Sequence, residues 1–166
     1  LDGIIDKALT SKENNKTNKR VLQGKKFTDA NLAKNPRHSE KCILDITEGL
    51  SAKTVADNIT ENEPKGRDYH GSFAIQGKFI NVDGLSKTTI DANKEVRQIK
   101  EALNLKYGVD YTIPENKATL RYGKIRILTD GDDDGIHIRG LLIRFFLQWP
   151  SLFQLNMIEC LSTRVV

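Results

Sequence analysis

Four short apolar runs constrain the fold more than any other feature: "KCILDITEG", "GSFAIQGKFINV", "KIRIL" and "MIECLST". Segments of helical length and spacing lie between them. In "LSAKTVADNIT" the residues Ala52, Val55, Ala56 and Ile59 fall on one helical face, and Ser51 is placed to cap the first turn. "TIDANKEVRQIKEALNL" aligns Ala92, Val96, Ile99 and Leu103, and "IHIRGLLIRFFLQW" reads as a helix closed by Pro150. "GSFAIQGKFINV" reads as one strand candidate with a Gly-Lys turn. Strands alternating with helices predict an α/β fold, a mostly parallel four-stranded sheet flanked by helices.

Residues 1–40 differ in kind. They hold few large apolar residues after Leu22 and many Lys and Asn, so they read as a basic linker or extended arm preceding a domain over 41–166. Lys12, Lys16, Lys19, Arg20, Lys25 and Lys26 suit either a phosphate backbone or plain solvation. The net charge of +4 permits a polyanionic partner without demanding one. Cys42 and Cys160 are the only cysteines, which excludes a disulfide scaffold and a zinc site of paired Cys/His spacing. Cys42, within an apolar run, reads as a buried thiol of a reducing compartment. No apolar run approaches the roughly 20 residues of a membrane span, and no signal peptide is seen.

The chemistry concentrates in "KIRILTDGDDDGIHIRGLL", where Asp130, Asp132, Asp133 and Asp134 lie within five residues of each other after an apolar strand. Three readings compete. The spacing matches the front half of a calcium-binding EF-hand loop, but position twelve falls on Leu141 instead of a bidentate Glu, and a strand precedes the loop where a helix is required. A second reading has the aspartates cap the next helix, a task that one or two would fulfil. The third is a divalent-metal site at the C-terminal edge of the sheet. There a neighbouring parallel strand, "CILDI", would deliver Glu48 beside Asp130 and Asp132. Such an oxygen set suits Mg²⁺, which offsets the mutual repulsion of the carboxylates.

Glu48-Gly49 followed by "DGDDDG" resembles the signature of the Toprim domain. "TEGLSA", "GRDYHGSFAIQGKFINV", "LRYGKIRILTDGDDDGIHIRGLL" and "FTDANLAKNPRHSEKC" resemble, in order, the Toprim region of type II DNA topoisomerases. The likeness runs from about Phe27 to the C-terminus, and "FFLQWPSLF" is most similar to large tailed-phage versions. The resemblance implies a Toprim (Rossmann-like) fold and a part in ATP-dependent cleavage, strand passage and religation of double-stranded DNA. It implies Glu48, Asp130 and Asp132 as ligands of the principal Mg²⁺ (Mn²⁺ or Ca²⁺ standing in) and Asp134 at a second or shared position. Glu48 would also move a proton at the 3′-oxygen, and Lys78 would lie near the scissile phosphate. His137 and Arg139 become candidates for DNA contact.

The same resemblance implies partners. The nucleophilic tyrosine would come from a winged-helix domain, ATP would bind an ATPase part, and the whole would be a homodimer or heteromeric assembly. Its location would be the cytoplasm or nucleoid, or the nucleus in a eukaryote. Tyr69, Tyr107, Tyr111 and Tyr122 lack the family's arginine-tyrosine pairing and read as packing residues. The fragment is not expected to be active alone. Three positions depart from the family pattern: Leu50 stands in place of Asp, Gln76 in place of Arg, and Asp133 in place of His. The alternatives are another Toprim enzyme, a primase or OLD-type nuclease, and a non-catalytic DNA-docking or assembly module.

Overall fold

The structure, a computed structural model, describes residues 26–163. One sheet holds β1 (Phe27–Thr28), β2 (Ile43–Glu48), β3 (His70–Ile75), β4 (Lys124–Asp130) and β5 (Ile158–Thr163), in the spatial order β1-β3-β2-β4-β5. The four longer strands are parallel to one another and are those expected from the sequence. The fifth, β1, pairs antiparallel with β3 and comes from the stretch read as an arm. Most of that arm lies outside the described residues. Where it enters them, Phe27, Ala30 and Ala33 are buried in the core, so the chain from Phe27 onward packs with the body. Short apolar residues with Asp29 between them gave no periodic signal.

Asp29 fixes this segment. Tyr122 donates its hydroxyl proton to Asp29 and accepts from the Ala30 N–H at 3.0 Å, while Arg121 pairs with the same carboxylate. The motifs "FTDA" and "LRYGK", some ninety residues apart, are thereby two halves of one buried clip.

The helices are α1 (Gly49–Glu61), α2 (Gly66–Tyr69), α3 (Lys87–Asp91), α4 (Lys94–Leu103), α5 (Pro114–Lys117), α6 (Asp133–Phe146) and α7 (Pro150–Gln154). The sequence expectation of one helix across residues 89–105 is replaced by two. Asn93 accepts a hydrogen bond from the Val96 N–H at 3.1 Å and starts α4 afresh, a capping role that competes with helix continuation. The strand expected through "QGKFINV" stops at Ile75. Gly77 takes φ +77° and turns the chain, and Phe79 and Val82 are then buried from a loop.

Connections between parallel strands are right-handed. The chain crosses from β2 to β3 in one direction and from β4 to β5 in the other, so α1 and α6 cover opposite faces. The α6 face is apolar: Leu44, Ile46, Phe73, Ile75, Ile125 and Ile127 are almost fully buried with Leu142, Phe145 and Phe146 of α6. The α1 face is polar. Arg126 grips its register partner Asp45 with two hydrogen bonds, Nε–Oδ1 at 2.6 Å and Nη2–Oδ2 at 3.0 Å. This polarity explains a correction to α1. Lys53, Ala56 and Thr60 face inward, whereas Val55 and Ile59 are each 59% exposed. Nor does Ser51 cap: α1 begins at Gly49, immediately after Glu48. Gly49 takes φ +80°, a conformation costly for other residues, to turn strand into helix.

Candidate metal centre

Strands β2 and β4 are neighbours from which the chain departs in opposite directions. Their C-terminal ends therefore flank a crevice of the kind in which open α/β sheets place ligands. Glu48 is the last residue of β2 and Asp130 the last of β4, and the Thr47–Leu128 pairing just before them puts both ends at one edge. The two segments singled out in the sequence, 82 residues apart, are brought together as expected.

Asp132 is the N-cap of α6, accepting from the Gly135 N–H at 2.8 Å, and Asp133 and Asp134 occupy the first turn. The capping reading is thus correct for Asp132, and it leaves the second carboxylate oxygen for other use. Gly135 has a steric reason. A Cβ there would stand 2.1 Å from the Asp130 carbonyl oxygen, so only glycine lets the helix start this close to the strand end.

Glu48 reports the electrostatics. Burial raises its pKa, the charges of Asp130 and Asp132 add to the rise, the Asp130 backbone N–H opposes it, and Asp134 contributes a smaller increase. Its Oε2 is buried with no hydrogen-bond partner. A half-buried carboxylate with an orphan oxygen, facing further carboxylates, is poorly served by protein alone. The donor set consists of hard oxygens, and a divalent cation would satisfy the orphan and turn repulsion into attraction. The residues fit Mg²⁺ in kind. They are gathered rather than locked: among the described residues no group of three or more His, Cys, Asp or Glu is set to hold a metal ion.

Lys78 lies three residues beyond Ile75, which pairs with Glu48, so it stands at the same edge on an exposed loop. His137 is exposed on α6. Arg139 donates to Ser162 Oγ at 3.0 Å and so ties α6 to β5. Of the three departures, Leu50 is 37% exposed in the first turn of α1, and Gln76 and Asp133 are exposed. Tyr107, Tyr111 and Tyr122 are buried and Tyr69 is half-buried, in keeping with packing roles. Thr129, which the sequence reading passed over, buries a hydroxyl without a partner beside this site. Its only signal was a polar residue closing an apolar strand.

Among the described residues no helix is long and apolar enough to cross a membrane. The Toprim domain family matches residues 39–160. A DNA topoisomerase 2 of Pisum sativum is 42% identical over 92% of this chain and 11% of its own length. The DNA topoisomerase 2-alpha of Homo sapiens is 43% identical over 85% of this chain and 9% of its own. The crystal structure of the Plasmodium falciparum topoisomerase II DNA-binding, cleavage and re-ligation domain superposes with a TM-score of 0.68 and 37% identity, over 81% of this chain and 18% of that one. The chain therefore spans about a tenth of the length of these curated relatives. The expected tailed-phage affinity gains no support from them. The switch-point crevice, its carboxylates and this likeness agree: the chain belongs to the Toprim family, with type II DNA topoisomerases as its relatives.

Proposed function

We propose that this chain is the Mg²⁺-binding Toprim part of a type II DNA topoisomerase that cleaves, passes and reseals double-stranded DNA with ATP hydrolysis. One observation carries the proposal: the half-buried Glu48, with an unpartnered oxygen, stands at the strand end next to Asp130, Asp132 and Asp134. Glu48, Asp130 and Asp132 would hold the principal ion, with Asp134 at a second or shared position. When bound, the ion stabilises negative charge on the leaving 3′-oxygen and the phosphate.

The side chains carry the rest. Glu48, at the strand end beside the acidic loop, is placed to give a proton to the 3′-oxygen on cleavage and to take it back on religation. Lys78, exposed at the same edge, offers a positive charge to the scissile phosphate. His137 is free to reach DNA from the exposed side of α6, and Arg139, which gives one N–H to Ser162, keeps further guanidinium donors for a phosphate. The nucleophilic tyrosine comes from a winged-helix part and ATP binds an ATPase part, in a dimeric or heteromeric enzyme of the nucleus or nucleoid. The buried tyrosines of this chain suit none of that work.

The test is Glu48→Ala in the full-length enzyme, with Mg²⁺-dependent cleavage and religation of supercoiled DNA as the readout. The expected loss is about 10²- to 10⁴-fold, the usual share of a positioned acid–base group. Activity equal to wild type would overturn the assignment.

A further inference from the structure

We infer that Thr129 is a positioning residue, its hydroxyl donating to Glu48 Oε2 and fixing that carboxylate for the ion. The inference rests on the reading of Glu48 given above and adds the residue that orients it. In β2 and β4, Leu44 pairs with Ile125 and Ile46 with Ile127, and all four point to the apolar face. Side chains in a strand alternate with period two, so Glu48 and Thr129, each two residues further on, project to that same face as neighbours.

Each of them has a buried polar atom without a partner, Oε2 on Glu48 and Oγ1 on Thr129. A lone orphan is rare inside a protein, and two of complementary kind on adjacent strand ends satisfy each other at the cost of a side-chain rotation. Thr129 immediately precedes Asp130, whose backbone N–H and charge both act on the Glu48 carboxylate, so the two strand ends lie close together. The Thr129 hydroxyl takes up one lone pair of Oε2, and the second lone pair of that atom, with Oε1, stays available to the ion. Partners of this outer kind set the orientation of metal ligands, and losing one typically weakens metal affinity about 10- to 100-fold.

The test uses the full-length enzyme without DNA or ATP, and reads Mn²⁺ binding by electron paramagnetic resonance, with thermal unfolding alongside. Thr129→Val should weaken Mn²⁺ binding about tenfold, and Thr129→Ser, which restores the hydroxyl, should bring it back to within about twofold of wild type. In a Glu48→Asp background, whose shorter side chain cannot reach the same position, Thr129→Val should add nothing further. Where Thr129→Val does not fold, Thr129→Ala carries the same expectations. Unchanged binding in Thr129→Val, failure of Ser to rescue, or an equal loss in both backgrounds would overturn the inference. If Glu48→Asp weakens binding while Thr129→Val does not, only this inference falls. If Glu48→Asp binds like wild type, the reading of Glu48 as a ligand falls first and this inference with it.

Discussion

The two faces of the sheet are held by different physics. Under α6, Leu44, Ile46, Ile125 and Ile127 meet Phe145 and Phe146 with almost no exposed surface. Under α1, Asp45 meets Arg126, and Asp57 meets Lys53, Ser72 and Arg67. The first face gains from removing apolar area from water, a non-directional term indifferent to pH. The second gains only if every charge finds its partner, because a charge left alone there costs more than the pair contributes. Where the two faces meet, at the C-terminal edge of β2 and β4, apolar packing on one side and carboxylates on the other produce the half-buried Glu48.

The apolar face should break hardest. Phe145 is fully buried, edge-on to Phe79 at 5.6 Å and to Trp149 at 5.3 Å between centroids. Phe145→Ala empties the centre of that cluster and should cost about 3–5 kcal/mol by urea unfolding. A loss under about 1 kcal/mol would mean that the face tolerates cavities and is not the principal source of stability.

On the polar face the informative experiment has two steps. Asp45→Ala removes the hydrogen-bonded partner of Arg126 and leaves it the charges of Glu159 and Glu63; with its side chain 27% exposed, the cost should be about 1–3 kcal/mol, below that of a fully buried charge. Replacing both, Asp45→Leu with Arg126→Met, should recover most of the loss, since an apolar pair of similar size is often as stable as an ion pair. No recovery in the double variant would show that the pair contributes more than mutual neutralisation, and the contrast between the faces would narrow.

This contrast also explains what the sequence made legible. "KCILDITEG" and "KIRIL" read as strands because parallel strands covered on both sides give near-continuous apolar runs. Glu48 and the acidic loop could be joined across 82 residues because strand ends at one edge converge by topology, whatever lies between. The polar face was illegible for the opposite reason. Asp45, Lys53 and Arg126 look like solvent residues until their partners are known, so the inward side of α1 was assigned to its apolar stripe. The break at Asn93 and the clip of Asp29 with Tyr122 depend on side-chain hydrogen bonds that no periodicity encodes. Thr129 escaped because its meaning comes from a residue on another strand.

Titration gives a smaller effect and separates the faces by sign. Burial alone would raise the Asp57 pKa, but hydrogen bonds from Lys53 and Ser72 and the charges of Lys53 and Arg67 outweigh it and hold the group below its ordinary value of 3.8. A depressed carboxyl stabilises the fold in full above its unfolded pKa, and that contribution drains away as pH falls through the folded value. Unfolding free energy should therefore decline as pH drops below about 4, and Asp57→Asn should flatten that part of the curve by about 1 kcal/mol. A Phe145→Ala variant should keep the wild-type slope, since no titrating group is lost.

The smallest expected effect decides how α1 lies. Ala52, Val55, Ala56 and Ile59 make an apolar stripe that would ordinarily face a core, yet Val55 and Ile59 are more than half exposed, and Lys53 reaches Thr28 Oγ1 at 2.7 Å from the buried side. Val55→Lys should then change stability by less than about 0.5 kcal/mol, as surface substitutions do. Lys53→Met, by contrast, should cost about 1–3 kcal/mol, because it strips Asp57 of its nearest cation. The reverse ranking would require α1 to be rotated about its axis, with its stripe on the sheet. Asp45 and Ser72 would then lie beneath valine and isoleucine, and the division into an apolar and a polar face would disappear.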